Sequence, residues 1–215
     1  MLTGYLAAYG YIALLLGLAT GARRYTRMSH ELIRKLVHVA LCLVWVILYH
    51  YFAGSWQIVV VPATLIAANA LSYRFNLVKA IERDDGNKNP GTVYFAVAVT
   101  ALFALTLIFP GTLKHSALAV FALTFGDGFA SIAGTLAPKR HPLWGRKSVE
   151  GVAGCFVAAF FGMWLGALFA GLPVRPFMLL VLALAASVLE FLGGDYDNFT
   201  ITLGVYALAV WFYGG

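Results

Sequence analysis

Asp127 is the strongest candidate for a chemical role, because it lies between Gly126 and Gly128 in the middle of a long apolar run. An acidic side chain at membrane depth is expensive and by default marks a functional site. Each glycine weakens a helix by up to about 1 kcal/mol. We therefore expect a local helix break that exposes backbone groups to a ligand or metal in a protein-lined cavity. The alternative is a helix-packing face of small residues around a hydrogen-bonded acid.

A basic loop between residues 137 and 151 follows this acid and indicates that an anion binds nearby. Lysine binds phosphate as a point charge and arginine as a planar fork, and a helix capped by Ser148 would also favour an anion. The candidate catalytic residues in the loop are Lys147 and Glu150. The candidate phosphate-binding residues are Lys139, Arg140, Arg146 and Ser148, together with Gly126 and Gly128. Membrane topology alone would also explain the basic residues. No GxxxxGKS or GxxxxGKT motif occurs, which excludes a soluble P-loop kinase.

A second charged group precedes the second apolar run. Glu31, Arg34, Lys35 and His38 are spaced i, i+3, i+4 and i+7, which predicts one helical stripe. Arg34 and Lys35 are candidate phosphate-binding residues, and His38 is a candidate catalytic residue that donates to a phosphate or relays a proton. The alternative is a packed histidine beside basic side chains that extend to the membrane surface.

Acidic and amide side chains also cluster near the C-terminus, where Glu190 ends the seventh apolar run and a GGDYDN turn follows. Carboxylates combined with substrate phosphates are the ligands that Mg²⁺ prefers. The candidate metal ligands are Asp127, Glu190, Asp197 and Asn198. A short hydrophilic turn needs polar residues in any case, which accounts for Asp195.

The elements that must position these residues are membrane helices. The 215-residue chain is 61% hydrophobic and 11% charged, with a mean hydropathy of +0.84, whereas soluble domains carry about 25% charged residues. At roughly 20 residues per span, we expect an all-α polytopic membrane protein with one domain over residues 1–215 and eight spans, seven being possible. The net charge of +6 then reflects topology, and no nucleic-acid partner is expected.

Eight apolar runs and the basic residues between them predict the orientation. The runs cover about residues 2–20, 36–52, 58–71, 92–109, 116–136, 152–172, 177–192 and 199–213. Thirteen of the fifteen lysines and arginines fall on one alternate set of loops, and the opposite set holds only Lys114 and Arg175. The positive-inside rule then puts both termini outside and the candidate site on the cytoplasmic face. The first run lacks a preceding basic region, which predicts a retained helix.

Five motifs in this order resemble the CTP-dependent polyprenol kinase family, which includes dolichol kinase and phytol or farnesol kinases. They are RKLVH at 34–38, NPGTVYF at 89–95, GDGFASIAG at 126–134, GRKSVEG at 145–151, and the set of Glu190, Asp197 and Asn198. The resemblance covers most of the chain, from about residue 34 to 203. It implies transfer of the CTP γ-phosphate to a lipid alcohol. It also implies that Asp127, Lys147, Glu150 and Asn198 carry the site.

These residues receive roles because phosphoryl transfer depends mostly on positioning and charge stabilisation. We expect Asp127, Asp197 and Asn198 to hold Mg²⁺ with Glu190 in support. Lys147 and Arg146 would neutralise the phosphates of CTP or another nucleoside triphosphate. Asp127 is the first candidate for activating the hydroxyl and His38 the second. The lipid alcohol would enter laterally from the surrounding membrane lipids.

Two rival functions remain open at this stage. A cytidylyltransferase acting on a lipid phosphate would use the same metal and nucleotide and release pyrophosphate. A small cation or proton transporter would use Asp127 and Glu190 as acids within the membrane, although the chain shows no internal repeat of the kind many transporters have. The particular lipid alcohol and the oligomeric state also stay open.

Overall fold

The computed structural model describes residues 1–75, 91–137, 141–143 and 147–214, apart from the side chain of Tyr73. Regular structure in these residues is helical, and the only β-type contact among them is an isolated bridge between Pro142 and Ser148. The α-helices are α1 Leu2–Tyr25, α2 His30–Ala40, α3 Cys42–Phe52, α4 Val60–Phe75, α5 Gly91–Ile108, α6 Leu113–Leu136, α7 Val149–Ala170, α8 Pro176–Gly193 and α9 Asp197–Tyr213. Short 3₁₀ turns precede α4 and join α8 to α9.

The expected all-α polytopic class is confirmed. Six helical stretches of the described chain are long and apolar enough to cross a membrane. The last of them, Pro176–Tyr213, contains both α8 and α9, and the shorter apolar helix Trp56–Ser72 lies outside the six. All eight apolar runs of the sequence fall on helices, although only these six stretches meet the length needed for a span.

The helix that carries the second apolar run begins before the run itself. Helix α2 starts at His30, where the hydroxyl of Ser29 accepts a hydrogen bond from the amide of Leu32 and caps the helix. The charged stripe is therefore helical, as its spacing predicts. Within the stretch His30–Phe52, the regular α-helix is interrupted only at Leu41, whose amide donates to the carbonyls of both Val37 and His38. Helix α3 then continues with large apolar residues.

Helix α6 is the centre of the bundle, since every residue from 115 to 124 is buried. It packs antiparallel against α7 along a seam of small residues. A Cβ at Gly162 would lie 2.8 Å from the carbonyl oxygen of Phe121, and one at Gly166 would lie 3.1 Å from that of Ala117. Membrane helices gain little from hydrophobic association and use such small residues for close packing.

Helices α8 and α9 form an antiparallel hairpin. The chain reverses at Gly194, whose φ of +55° is a conformation that glycine adopts readily. Thr200 Oγ1 donates to the carbonyl of Leu189 at 2.9 Å, and Gly204 lies against the Leu189 side chain. The hairpin packs on α6. Its tip therefore places Glu190 and Asp197 at the end of the bundle where α6 carries Asp127.

Candidate active site

Asp127 is held by α2. Lys35 Nζ donates to both carboxylate oxygens of Asp127 at 2.9 Å, and it also reaches the Asp127 backbone carbonyl at 3.2 Å. His38 Nε2 lies 3.2 Å from Asp127 Oδ2, but it has no aligned hydrogen-bond partner among the described residues. Lys35 and His38 are one turn apart on α2, so both reach the same carboxylate.

A second lysine reaches the site from the opposite side. Lys147 Nζ donates to Glu190 Oε1 through a short contact and to Asp197 Oδ2 at 3.2 Å. Burial lowers the pKa of Lys147, but Asp197 and Glu190 together outweigh this effect and raise its pKa above the ordinary value. Lys147 is therefore charged throughout the physiological range.

The three carboxylates lie close enough to share an ion. One oxygen from each of Asp127, Glu190 and Asp197 lies within 4.8 Å of the others, and the residues come from three different helices. If all groups other than His38 are charged, three carboxylates face two lysines, which leaves one negative charge. We call these three acids with Lys35 and Lys147 the acidic cluster.

The donor set of the acidic cluster fits Mg²⁺. Glu190 Oε2 and the neighbouring Asn198 Oδ1 are buried and have no hydrogen-bond partner among the described residues. Asn198 Nδ2 meanwhile donates to Asp197 Oδ1 at 3.3 Å, which leaves its amide oxygen as the free acceptor. Buried acceptors without partners are uncommon and need an explanation. Three carboxylates and an amide oxygen are hard ligands of the type that Mg²⁺ takes.

The two glycines beside Asp127 act in packing. Helix α6 is continuous from Leu113 to Leu136, so the expectation of a helix break at this point is wrong. A Cβ on Gly128 would lie 2.6 Å from Val39 Cγ2 of α2, and one on Gly126 would lie 3.1 Å from Cys155 Sγ of α7. Their small size lets α2 and α7 approach α6, and this tertiary packing outweighs their low helix propensity. A phosphate-binding role for them stays a prediction.

Arg34 points to a different carboxylate. It forms a two-point pair with Glu31, with Nε–Oε2 and Nη2–Oε1 distances of 3.0 and 2.6 Å. Ser131 Oγ donates to Glu31 Oε1 at 2.8 Å, which ties this pair to α6. Arg34 therefore lies beside the acidic cluster on α2 without touching its carboxylates, and it stays a predicted phosphate-binding residue.

Ser148 and Glu150 lie at the start of α7. Ser148 Oγ accepts from the Gly151 amide at 3.2 Å, which confirms the predicted cap. The Glu150 carboxylate instead accepts from the backbone amide of His141 at 3.1 Å and contacts its Nδ1 at 2.5 Å. The structure thus groups Glu150 with His141 and not with Asp127. The predicted residues Lys139, Arg140 and Arg146 lie outside the described residues.

Sequence reasoning did not identify His141 as the partner of Glu150. The two residues lie nine positions apart across a loop, and this spacing matches neither a helix nor a strand period. The sequence also predicted that Lys35 binds a phosphate, whereas in the structure Lys35 pairs with the carboxylate of Asp127.

One curated protein is similar to this chain over most of its length. It is a phytol kinase from Synechocystis sp., 27% identical over 190 residues, which cover 84% of this chain and 78% of the relative. The chain resembles a phytol kinase. The similarity is consistent with the family resemblance carried by the motifs. No protein-family model matches the chain, and no solved structure matches it either.

Proposed function

We propose that the protein is an integral membrane kinase that transfers the γ-phosphate of CTP, or of another nucleoside triphosphate, to an isoprenoid or other lipid alcohol. The acidic cluster carries this proposal, because it brings three carboxylates and two lysines together at one end of an apolar helical bundle. The similarity to a phytol kinase supports a lipid alcohol as the acceptor.

Mg²⁺ is the expected cofactor, with Asp127, Glu190, Asp197 and the Asn198 amide oxygen as the residues that would hold it. When bound, the ion would neutralise charge on the phosphate oxygens and help to orient the triphosphate. Lys147 lies beside these acids with part of its side chain exposed. We expect it to donate to a phosphate oxygen as well as to its carboxylate partners.

The hydroxyl proton needs an acceptor at the site. Both Asp127 oxygens already accept hydrogen bonds from Lys35, whereas His38 Nε2 has no aligned partner among the described residues. We therefore assign proton acceptance to His38, with Asp127 stabilising the resulting imidazolium from 3.2 Å. The alcohol oxygen forms a bond to the γ-phosphorus, the bond from that phosphorus to the bridging oxygen breaks, and CDP leaves when CTP is the donor.

The site is proposed to face the cytoplasm. The described lysines and arginines concentrate at the end of the bundle that carries the acidic cluster, where α1 ends, α2 begins and α4 ends. Under the positive-inside rule this end is cytoplasmic, with both termini outside. A cytoplasmic site has direct access to nucleotide, while the lipid alcohol reaches it from the bilayer.

Labelled CTP tests the proposed reaction. The purified protein in nanodiscs is incubated with Mg²⁺, a panel of lipid alcohols and CTP labelled at either the α or the γ position. We expect γ-label in a lipid monophosphate and α-label in CDP, with no transfer by the Asp127→Asn variant. Transfer of α-label with release of pyrophosphate would establish the cytidylyltransferase instead. Transfer of neither label from any nucleoside triphosphate would contradict both enzymes and favour the transporter.

A further inference from the structure

An apolar slot lies between α3, α4, α5 and α6 and takes no part in the polar chemistry described above. The slot and the open space at its mouth together amount to about 400 Å³, and only a narrow part of this volume is enclosed by the side chains. Its walls are almost entirely nonpolar. Its lining includes Leu41, Trp45, Leu48, Leu65, Phe95 and Val99.

One end of the slot meets the candidate active site. Phe95 lines the slot and also contacts the His38 ring edge-on, with ring centroids 4.8 Å apart. Leu41 lies one turn beyond His38 along the same helical stretch. The slot follows the chain from Leu41, just before α3, to Leu48 within it, a length of about 11 Å at 1.5 Å per residue. It therefore runs from His38 into the apolar interior of the bundle.

The inner wall is rigid and the outer wall is open. Trp45 is buried, donates from Nε1 to Ser116 Oγ at 2.8 Å and stacks on Tyr49, so its ring is fixed. Leu41, Leu65 and Phe95 are only half-buried. A chain molecule could thus enter from the side of the bundle and lie against a fixed aromatic surface.

We propose that this slot binds the segment of the isoprenoid chain next to the hydroxyl and delivers that hydroxyl to His38. The inference rests on the proposed function and adds the substrate's position and the basis of its recognition. A nucleotide does not fit there, because the lining offers almost no polar group to its phosphates or sugar. A slot of about 11 Å is also much shorter than the roughly 30 Å hydrocarbon core. The far end of a long chain therefore stays in the lipid, and recognition depends on the units near the hydroxyl.

Photo-crosslinking locates the chain independently of catalysis. The probe is a farnesol analogue with a diazirine on its first isoprene unit and a terminal alkyne, added to the full-length protein in nanodiscs. We expect mass spectrometry to map the crosslinks to the slot walls on α3 and α5. Crosslinks to the slot walls on α4 and α6 would support it equally, and crosslinks predominantly outside the slot lining would overturn the proposal.

Paired substitutions on α5 sharpen this test. Val99 lines the slot, whereas Val97 is half-buried on the same helix and does not line it. In Val99→Phe we expect the slot crosslinks to fall and the KM for the alcohol to rise about tenfold, with the KM for nucleotide unchanged. Val97→Phe should change neither quantity. Leu65→Trp fills the slot from its half-buried wall and serves as the second test if Val99→Phe does not fold.

The two proposals can fail separately. One outcome would uphold the slot and contradict the kinase: slot crosslinks that Val99→Phe or Leu65→Trp abolishes, in a protein that transfers no label from any nucleoside triphosphate. Label transfer combined with crosslinks that neither substitution reduces would uphold the kinase and overturn the slot.

Discussion

The two lysines of the acidic cluster differ in their exposure and in their hydrogen-bond partners. Lys35 belongs to a helix and is 6% exposed. Within the part of the chain that the structure describes, it donates to Asp127 alone, through both carboxylate oxygens and the backbone carbonyl. Lys147 lies in the loop before α7, is 20% exposed and divides its contacts between Glu190 and Asp197. From sequence both were expected to bind phosphate. The comparison indicates that Lys35 positions an acid, while Lys147 is accessible to a substrate.

Substitution of Asp127 is expected to reduce activity more than any other change. Asp127→Asn removes a charge that we propose binds the metal, so activity should fall at least about 100-fold. It also leaves Lys35 buried without its anion, which costs about 3–5 kcal/mol in buried pairs. Labelled-CTP assays and thermal unfolding in detergent measure the two effects.

A double variant separates the two effects. Lys35→Met combined with Asp127→Leu removes both buried charges and should recover the thermal stability of the wild type without recovering activity. Recovery of activity would show that Asp127 serves packing alone.

Lys147→Ala should act mainly on the nucleotide. Hydrogen bonds to charged groups are worth about 1.5–3 kcal/mol, which corresponds to a roughly thirtyfold rise in the KM for CTP. The KM for the lipid alcohol should stay constant. Arg74→Ala, at the exposed end of α4, is the matched control for loss of a basic residue. Equal effects at both positions would mean that these charges serve topology only.

The pH dependence of Lys147 follows from its raised pKa. Its pairing stabilises the folded state fully below the ordinary lysine pKa of about 10.4. That contribution is lost only as the pH rises through the higher folded-state value. The measurement is the pH profile of nucleotide binding for the wild type and for Lys147→Arg. A loss of binding near neutral pH that occurs in the wild type and is absent from the variant would contradict a raised pKa of Lys147.

Glu190→Gln tests the metal set with a smaller expected effect. Glu190 Oε2 is a buried acceptor without a partner among the described residues, so the amide should weaken ion binding. We expect the Mg²⁺ concentration for half-maximal activity to rise about tenfold, while saturating Mg²⁺ restores much of the rate. Unchanged Mg²⁺ dependence would remove Glu190 from the metal ligands.

Gly128→Ala should produce the smallest effect and report on the Lys35 side alone. The added Cβ meets Val39 Cγ2 at 2.6 Å and pushes α2 away from α6. Overpacking of this kind costs about 1–3 kcal/mol. Gly10→Ala has open space around its Cβ and is the control. Equal melting temperatures for the two variants would show that α2 accommodates the methyl group.

The sequence predicted the helical class and most of the acidic cluster. Hydropathy located the apolar runs. The uneven distribution of lysine and arginine among the loops then predicted that Asp127, Glu190 and Asp197 lie at one end of the bundle. The 3.6-residue period also placed Lys35 and His38 on one stripe. These predictions rest on local patterns in the sequence. Such patterns are reliable here because a backbone within the apolar membrane must satisfy its own hydrogen bonds and therefore forms a helix.

Pairing within the site was not predictable in the same way. Lys35 and Asp127 lie 92 positions apart, and no spacing rule links them. Helix α6 stays continuous through Gly126 and Gly128 because neighbouring helices pack closely there, which single-residue propensity does not report. The contact of Glu150 with His141 depends on loop geometry, which no period describes.

The hairpin of α8 and α9 has a consequence for biosynthesis. Glu190 and Asp197 both belong to it and follow all the other helices along the chain. Asp127 is synthesised before these acids, and Lys35, which is synthesised earlier still, is available to pair with it. We therefore expect this ion pair to compensate the charge of Asp127 in the membrane before the hairpin is complete. Only docking of the last hairpin then makes the proposed metal-binding set complete, so we expect nascent chains short of that hairpin to lack a complete Mg²⁺ site.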